Sequence, residues 1–162
     1  MVGTARQYQG AGDVELLRSF LVSMRAEAGH ACWHSGDLVW RFFLHSLGHE
    51  LEQTVRLWLD GRGQVEAFAI VTPRSRAGNL LFDVQVHPRA RSQALLEQVL
   101  SWIESLASTA LPAPHLLSTD TGVYDADAGQ MAALRAHGFR PTGDEGLLLA
   151  RSLQGPIAAP SL

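Results

Sequence analysis

One segment of the sequence places a strand, a turn and a helix in direct succession, and it restricts the possible folds more than any other. From Phe82 to Val86 apolar and polar side chains alternate, as they do along a β-strand. A basic turn with Pro88 follows, and from Leu95 onward apolar side chains recur at helical spacing. The sequence therefore predicts a strand from Asn79 to Val86 that passes through residues 87–91 into a helix.

The start of this helix has the properties of an anion-binding site. The first backbone N–H groups of a helix have no intrahelical partner, and the helix dipole is positive at that end. Arg89 and Arg91 add positive charge beside it. Ser92 is a residue type preferred at the N-cap, whereas a left-handed backbone at that position would disfavour any side chain. We expect Ser92 to be an N-cap whose neighbours hold an anion.

The remaining sequence predicts further strands and helices before and after this segment. The predicted strands are Thr4–Gln9, Thr54–Asp60, Val65–Thr72, His115–Thr119, Phe139–Thr142 and Leu147–Ser152. The predicted helices run from Asp13, as N-cap, to about Gly29, from Asp37 to Leu47, and from Asp127 to Ala136. The predicted buried helix residues are Val14, Leu17, Phe20, Leu21, Met24, Trp40, Phe43, Leu44, Leu47, Leu95, Leu96, Val99, Leu100, Ile103 and Leu106.

Both the loop and this order of elements resemble the GNAT acetyltransferase superfamily. The acyl-CoA loop of that family reads (Gln/Arg)-x-x-Gly-x-(Gly/Ala), and Arg89, Ser92 and Ala94 stand at its three defining positions. The Gly138-Phe139 step after a short helix resembles the usual ending of the family's last helix. The resemblance covers residues 4 to about 153. It implies an α/β (α+β) fold with a mixed, mostly antiparallel six- to seven-stranded sheet and helices on both faces.

The same resemblance implies one domain, residues 1–153, with a Pro/Ala-rich tail at 154–162. That tail resembles the linker after the N-terminal half of tandem GNAT proteins such as mycothiol synthase. The implied function is acetyl transfer from acetyl-CoA to a small-molecule or peptide amine, and a homodimer or a second GNAT domain is the expected protein partner. The thioester and pantetheine are expected along Val84 to Val86, and the pyrophosphate over the amides of Arg91 to Leu95. The expected coenzyme-binding residues are Val84, Val86, Arg89, Arg91, Ser92, Gln93, Ala94 and Leu95.

Candidate catalytic groups lie on the strand before the loop. Asp83, Gln85 and His87 share one face by the period of two, opposite the apolar residues. They either line a substrate groove beside the thioester or meet water and neighbouring side chains near a splayed strand end. Asp120 and Glu66 are weaker candidates.

Leu134 stands where the family often has an acid tyrosine, and leucine cannot donate a proton. The next tyrosine in sequence, Tyr124, precedes the helix. The alternative function is therefore a non-catalytic, degenerate GNAT domain that binds CoA or a partner chain.

Composition excludes several other classes of protein. A net charge of −3 disfavours a general nucleic-acid binder, since that affinity depends on Lys and Arg. One cysteine, Cys32, excludes an intramolecular disulfide. No apolar run is long enough to span a membrane, so a cytoplasmic protein is expected. Histidines near Cys32 and around Gly48 lack the spacing of a zinc site, and no metal is expected.

Overall fold

The computed structural model describes residues 4–28, 33–46, 50–74, 79–110, 116–119 and 127–141. Its strands are β1 (Thr4–Gln7), β2 (Val55–Leu59), β3 (Val65–Arg74), β4 (Asn79–Val86) and β5 (Leu116–Ser118). Its helices are α1 (Ala11–Ala28), α2 (Ser35–Ser46), α3 (Leu51–Thr54), α4 (Gln93–Ala110) and α5 (Ala128–Ala136), with a 3₁₀ turn at Pro88–Ala90. The sequence did not predict the single-turn helix α3.

The five described strands form one sheet in the order β1-β2-β3-β4-β5. Neighbours are antiparallel except β4 and β5, which are parallel, so the expected mixed and mostly antiparallel sheet is confirmed. The β2–β3 hairpin closes at residues 61–63, where Gly63 has a φ of +78° that favours glycine. Two further strands were expected, Phe139–Thr142 and Leu147–Ser152. Phe139–Pro141 are not in a strand, and residues 142–152 lie outside the described part.

Helices α1 and α2 cover one face of the sheet. The predicted stripe of α1 is buried at Leu17, Phe20, Leu21 and Met24, while Val14 is only partly buried. On α2 the prediction for Trp40 was wrong, because its side chain is 60% exposed. Leu38 and Phe42 are buried instead, and their spacing of four places them on one side of the helix, with Trp40 turned away. The side chains of Phe43, Leu44 and Leu47 lie outside the described residues.

Asp13 was predicted to be the N-cap of α1, but the helix begins two residues earlier, at Ala11. The carboxylate is buried in the first turn, where it accepts 2.6 Å hydrogen bonds from both Nη atoms of Arg6 and a 2.7 Å bond from the Gln9 N–H. Asp13 therefore ties the start of α1 to β1. The hydrogen bond from Arg6 is the largest reason why the pKa of Asp13 lies below its ordinary value.

Replacing Asp13 by asparagine is expected to lower the free energy of unfolding by roughly 1–2 kcal/mol near neutral pH, because charge-assisted hydrogen bonds are lost. A pKa lowered in the folded state stabilises the fold above the unfolded value of about 3.9, and this contribution disappears as the pH falls through the folded pKa. The difference between wild type and Asp13→Asn should thus shrink in acid. Urea unfolding at several pH values measures it. Glu15→Gln, at an exposed ion pair on the same helix, is the control and should change stability little.

Helices α4 and α5 cover the other face of the sheet. The predicted α4 residues are buried except Leu106, which is only partly buried. Helix α5 begins at an N-cap, Asp127, whose carboxylate accepts the Gln130 N–H at 3.1 Å. It ends in a Schellman motif, in which Gly138 has a φ of +81° and the Phe139 N–H donates to the Leu134 carbonyl. Helices on both faces of the sheet, as expected, are confirmed.

Candidate functional site

Among the residues that the structure describes, the outer edge of β4 is paired along only part of its length. Strand β3 pairs with β4 from Asn79 to Val86, whereas β5 pairs only with Asn79, Leu80 and Leu81. Beyond Leu81 the described residues provide no strand on that side. We name this open edge of Phe82–Val86 the β4 notch.

The direction of the backbone groups in the β4 notch follows from their hydrogen bonds. The His87 N–H donates to the Glu66 carbonyl on β3 at 2.8 Å. Because backbone groups alternate sides along a strand, Val84 and Val86 direct theirs toward the open edge. Consistent with this, Arg91 Nη2 approaches the Val86 carbonyl oxygen at 3.5 Å from outside the sheet. The notch therefore presents backbone donors and acceptors at Val84 and Val86.

Helix α4 begins next to this edge, and its N-cap is Ser92, as the sequence predicted. The Ser92 hydroxyl oxygen accepts the Leu95 N–H at 3.3 Å, and its carbonyl accepts the Leu96 N–H at 3.1 Å. The Leu95 N–H, expected to face the pyrophosphate, is thus bonded to the capping serine. Gln93 and Ala94 are exposed, and N–H groups at these first helical positions have no intrahelical acceptor. The anion-binding capacity of the helix start therefore rests on these two residues.

The two arginines of the loop lie on different sides of it. Arg91 pairs with Asp127, the N-cap of α5, at 2.6 Å and also bonds Val86, so its guanidinium lies beside the β4 notch. Arg89 turns toward α1, where its Nε donates to Glu27 at 2.9 Å, and its side chain is 78% exposed. Of the two basic residues predicted at the coenzyme, Arg91 is the one next to the notch.

The three candidate catalytic side chains of β4 lie together on the α1/α2 face and are buried. Asp83 faces Arg41 of α2, with Oδ2 3.4 Å from Nε. Gln85 accepts the Trp33 N–H at 3.3 Å. Asp83 thus has an ion-pair partner on α2, and Gln85 has a hydrogen-bond partner in the backbone before α2.

His87 is held by contacts at both ring nitrogens. Nδ1 accepts the Arg89 N–H at 3.3 Å, so the neutral ring carries its proton on Nε2 and donates it to the Ser23 hydroxyl at 3.2 Å. The Glu27 carboxylate lies 3.9 Å from the same Nε2. A Ser-His-carboxylate triad needs the carboxylate at the other nitrogen. Ser23 is therefore not an activated nucleophile, and His87 links β4 to α1.

Sequence reasoning missed the helix residues that face this strand. Ser23 and Glu27 follow Phe20 at spacings of three and seven, so they continue the inner stripe of α1 into a polar end. Arg41 follows Leu38 of α2 at the same spacing of three and lies next to the buried Phe42. A polar residue that extends an apolar stripe was the available signal.

Among the described residues, no group of three or more His, Cys, Asp or Glu side chains could hold a metal ion. No helix of the described part is long and apolar enough to cross a bilayer. Cys32, Asp120 and Tyr124 lie outside the described residues, as do the tail and the histidines 30 and 49.

Comparison with known proteins finds similar structures. No family model and no curated protein matches the sequence. A GCN5-related N-acetyltransferase from Sphaerobacter thermophilus superposes with a TM-score of 0.67 at 23% identity, over 85% of this chain and 43% of that one. This chain thus spans less than half of that protein.

Two further solved structures match over most of both chains. A GNAT phosphinothricin acetyltransferase from Sinorhizobium meliloti, in complex with AcCoA, has a TM-score of 0.62 at 18% identity, over 88% of this chain and 77% of that one. A GNAT-family acetyltransferase from Streptococcus pneumoniae has a TM-score of 0.64 at 15% identity, over 86% of each chain. The open β4 edge, the capped α4 and these superpositions together show that the chain has the fold of the GNAT superfamily.

Proposed function

We propose that this protein is an acetyl-CoA-dependent N-acetyltransferase that holds the coenzyme in the β4 notch. The observation that supports it best is the outer edge of β4, which no described strand pairs beyond Leu81 and which ends beside the exposed start of α4. A similar structure, the Sinorhizobium meliloti enzyme, was solved with AcCoA. The acceptor is a small-molecule or peptide amine.

The residues of the notch fit the chemistry of the coenzyme. The amides of pantetheine can bond to the backbone groups of Val84 and Val86, as an added strand bonds to a sheet edge. The pyrophosphate can take the N–H groups of Gln93 and Ala94 and the positive end of the helix dipole. Arg91 adds a charge within reach of the same position.

Acetyl-CoA supplies a thioester whose carbonyl carbon the amine attacks, and the C–S bond then breaks to release CoA. Asp83, Gln85 and His87 remain the proposed catalytic set, since they lie on the strand that borders the notch. In this scheme Nδ1 of His87 exchanges its hydrogen bond from the Arg89 N–H for the proton of the amine, and the ring releases its Nε2 proton toward Ser23 and Glu27. Glu27 is the more exposed end of that path, with 25% of its side chain exposed. The leaving thiolate takes its proton from water or another group, because Leu134 cannot donate one.

The buried position of Leu134 favours a second candidate function, a non-catalytic domain that binds CoA or a partner chain. Leu134 is 7% exposed and packs in the α4/α5 core, so that part of α5 serves packing. An assay of thiol release from acetyl-CoA across a panel of amines separates the two functions. Turnover above background hydrolysis is expected. Release no faster than background with every amine, despite coenzyme binding, would support the non-catalytic domain.

Ser92→Gly restores the residue that the family loop usually has. Because serine here caps α4 through its hydroxyl, we expect stability to fall by only a few tenths of a kcal/mol and coenzyme affinity to stay similar or weaken. Thermal unfolding and a calorimetric titration measure both. A tenfold gain in affinity would show that the serine side chain obstructs the pyrophosphate.

We also propose that residues 1–153 form one domain followed by a tail at 154–162. The greater length of the Sphaerobacter thermophilus protein is compatible with a second GNAT domain as partner. A homodimer is the other proposed assembly, and the cytoplasm remains the predicted location. Size-exclusion chromatography with light scattering distinguishes a monomer from a homodimer.

A further inference from the structure

A groove separate from the β4 notch runs between α4 and the β1–β2 side of the sheet. It is open to solvent along α4 and has a volume of about 540 Å³. The sheet contributes Ala5, Arg56 and Trp58, and one flank of α4 contributes the opposite wall. The notch borders β4 and β5, so the two sites lie on different sides of α4.

Arg56 gives the groove a partly desolvated positive charge. Its guanidinium carbon lies 6.0 Å from the ring centre of Trp58 and 5.9 Å from that of Trp102, so it stands against two indoles. Its Nε is buried and has no hydrogen-bond partner among the described residues. No described carboxylate is within ion-pair distance of it. A cation held among apolar rings attracts an anion more strongly than one in water does.

The α4 wall of the groove is polar and exposed. Gln98, Ser101 and Ser105 follow one another at spacings of three and four, so they point to the same side of the helix. Trp102 lies between them and packs edge-to-face on Trp58, with ring centres 5.8 Å apart. The one acidic side chain of the wall, Glu97, already accepts a hydrogen bond from Gln93 at 3.3 Å. The groove thus combines one cation, hydroxyl and amide donors, and an aromatic surface.

We propose that this groove binds a small aromatic carboxylate. The carboxylate would meet the Nη end of Arg56, which is the part of the guanidinium that a ligand can reach when Nε is buried. The ring would lie against Trp102, and the serine hydroxyls would donate to remaining acceptors. The inference is independent of the proposed acetyl transfer, because it uses no residue of the notch.

The test uses benzoate as probe and benzamide as its neutral counterpart of similar shape. In ¹⁵N NMR titrations of the full chain, benzoate should shift the Arg56 Nε–H and the Trp102 indole N–H signals. Benzamide should bind at least tenfold more weakly, since it lacks the charge. Equal binding of both probes, or no shift at these signals at millimolar benzoate, would overturn the proposal.

Three variants assign the effect to the groove. Arg56→Gln should weaken benzoate at least tenfold, while Arg62→Gln, the same change in the exposed hairpin, should leave it unchanged. Ser101→Asp keeps Arg56 but adds a carboxylate to the exposed wall, so it should also weaken benzoate and stays informative if Arg56→Gln fails to fold. Acetyl-CoA titrations should be the same in all three, which separates this proposal from the proposed function. Unchanged benzoate affinity in Ser101→Asp and in folded Arg56→Gln would contradict it.

A second copy of the chain is the other occupant to test. Sedimentation velocity at increasing concentration measures self-association. If the groove binds a small ligand, wild type and Ser101→Asp should self-associate to the same extent. A dimer lost in that variant, together with failure of benzoate to bind, would assign the groove to protein contact instead.

Discussion

Trp58→Ala is expected to lower the free energy of unfolding by about 3–5 kcal/mol, the usual cost of removing a large aromatic side chain from a core. Trp58 is 1% exposed on β2, opposite Ala5 of β1, and its ring packs against Trp102 and Arg56. Without the indole, α4 loses its contact with the β1–β2 side of the sheet. Chemical denaturation followed by far-UV circular dichroism measures the loss.

Trp40→Ala is the matched control for this prediction. It makes the same substitution at a side chain that is 60% exposed on α2, so the change should stay within about 0.5 kcal/mol. The pair also tests the orientation of α2, which the sequence pattern alone assigned incorrectly. A cost at Trp40 as large as that at Trp58 would show that α2 presents Trp40 to the core.

Arg91→Glu is expected to weaken acetyl-CoA by tenfold to a hundredfold, or about 1.4–2.7 kcal/mol. The guanidinium lies beside the notch between Val86 and Asp127, and reversing its charge sets an anion against the phosphates of the coenzyme. Because the new carboxylate would also face Asp127, Arg91→Gln should be measured alongside, and a smaller loss of affinity is expected for it. Calorimetry gives the affinities, and thermal unfolding checks that each variant folds.

Arg89→Glu provides the control for charge in the same loop. Arg89 was predicted at the coenzyme together with Arg91, but its side chain points to Glu27 on α1 and is largely exposed. The substitution should therefore weaken the coenzyme less than Arg91→Glu does. Equal losses of coenzyme affinity at both positions would mean that binding depends only on the net charge of the loop. The specific role proposed for Arg91 would then be wrong.

Patterns within one element were enough to predict much of this fold. Strand β4 has the predicted bounds, Asn79–Val86, because its alternation ends at a proline turn that cannot continue the strand. The N-cap Ser92 was also predicted, since capping depends on a side chain and a backbone group only three residues apart.

Features that depend on contacts between elements were not predictable in the same way. The sequence placed Trp40 inside because several apolar residues of α2 compete for one face, and only packing against α1 and β2 decides which is buried. It could not show that Asp13 turns back to Arg6, or that Arg89 and Arg91 diverge, because those ion pairs join residues from separate elements. For the same reason the shared face of Asp83, Gln85 and His87 was predictable, but their partners on α1 and α2 were not.

A titration of the ¹⁵N-labelled protein with acetyl-CoA, followed by NMR, tests the central claim most directly. If the coenzyme lies in the β4 notch, the amides of Val84, Val86, Gln93 and Ala94 and the Nε–H of Arg91 should shift together along one binding curve. The indole of Trp40, on the far side of α2, should not respond. Absence of these shifts at millimolar acetyl-CoA, or shifts confined to other parts of the molecule, would contradict the account.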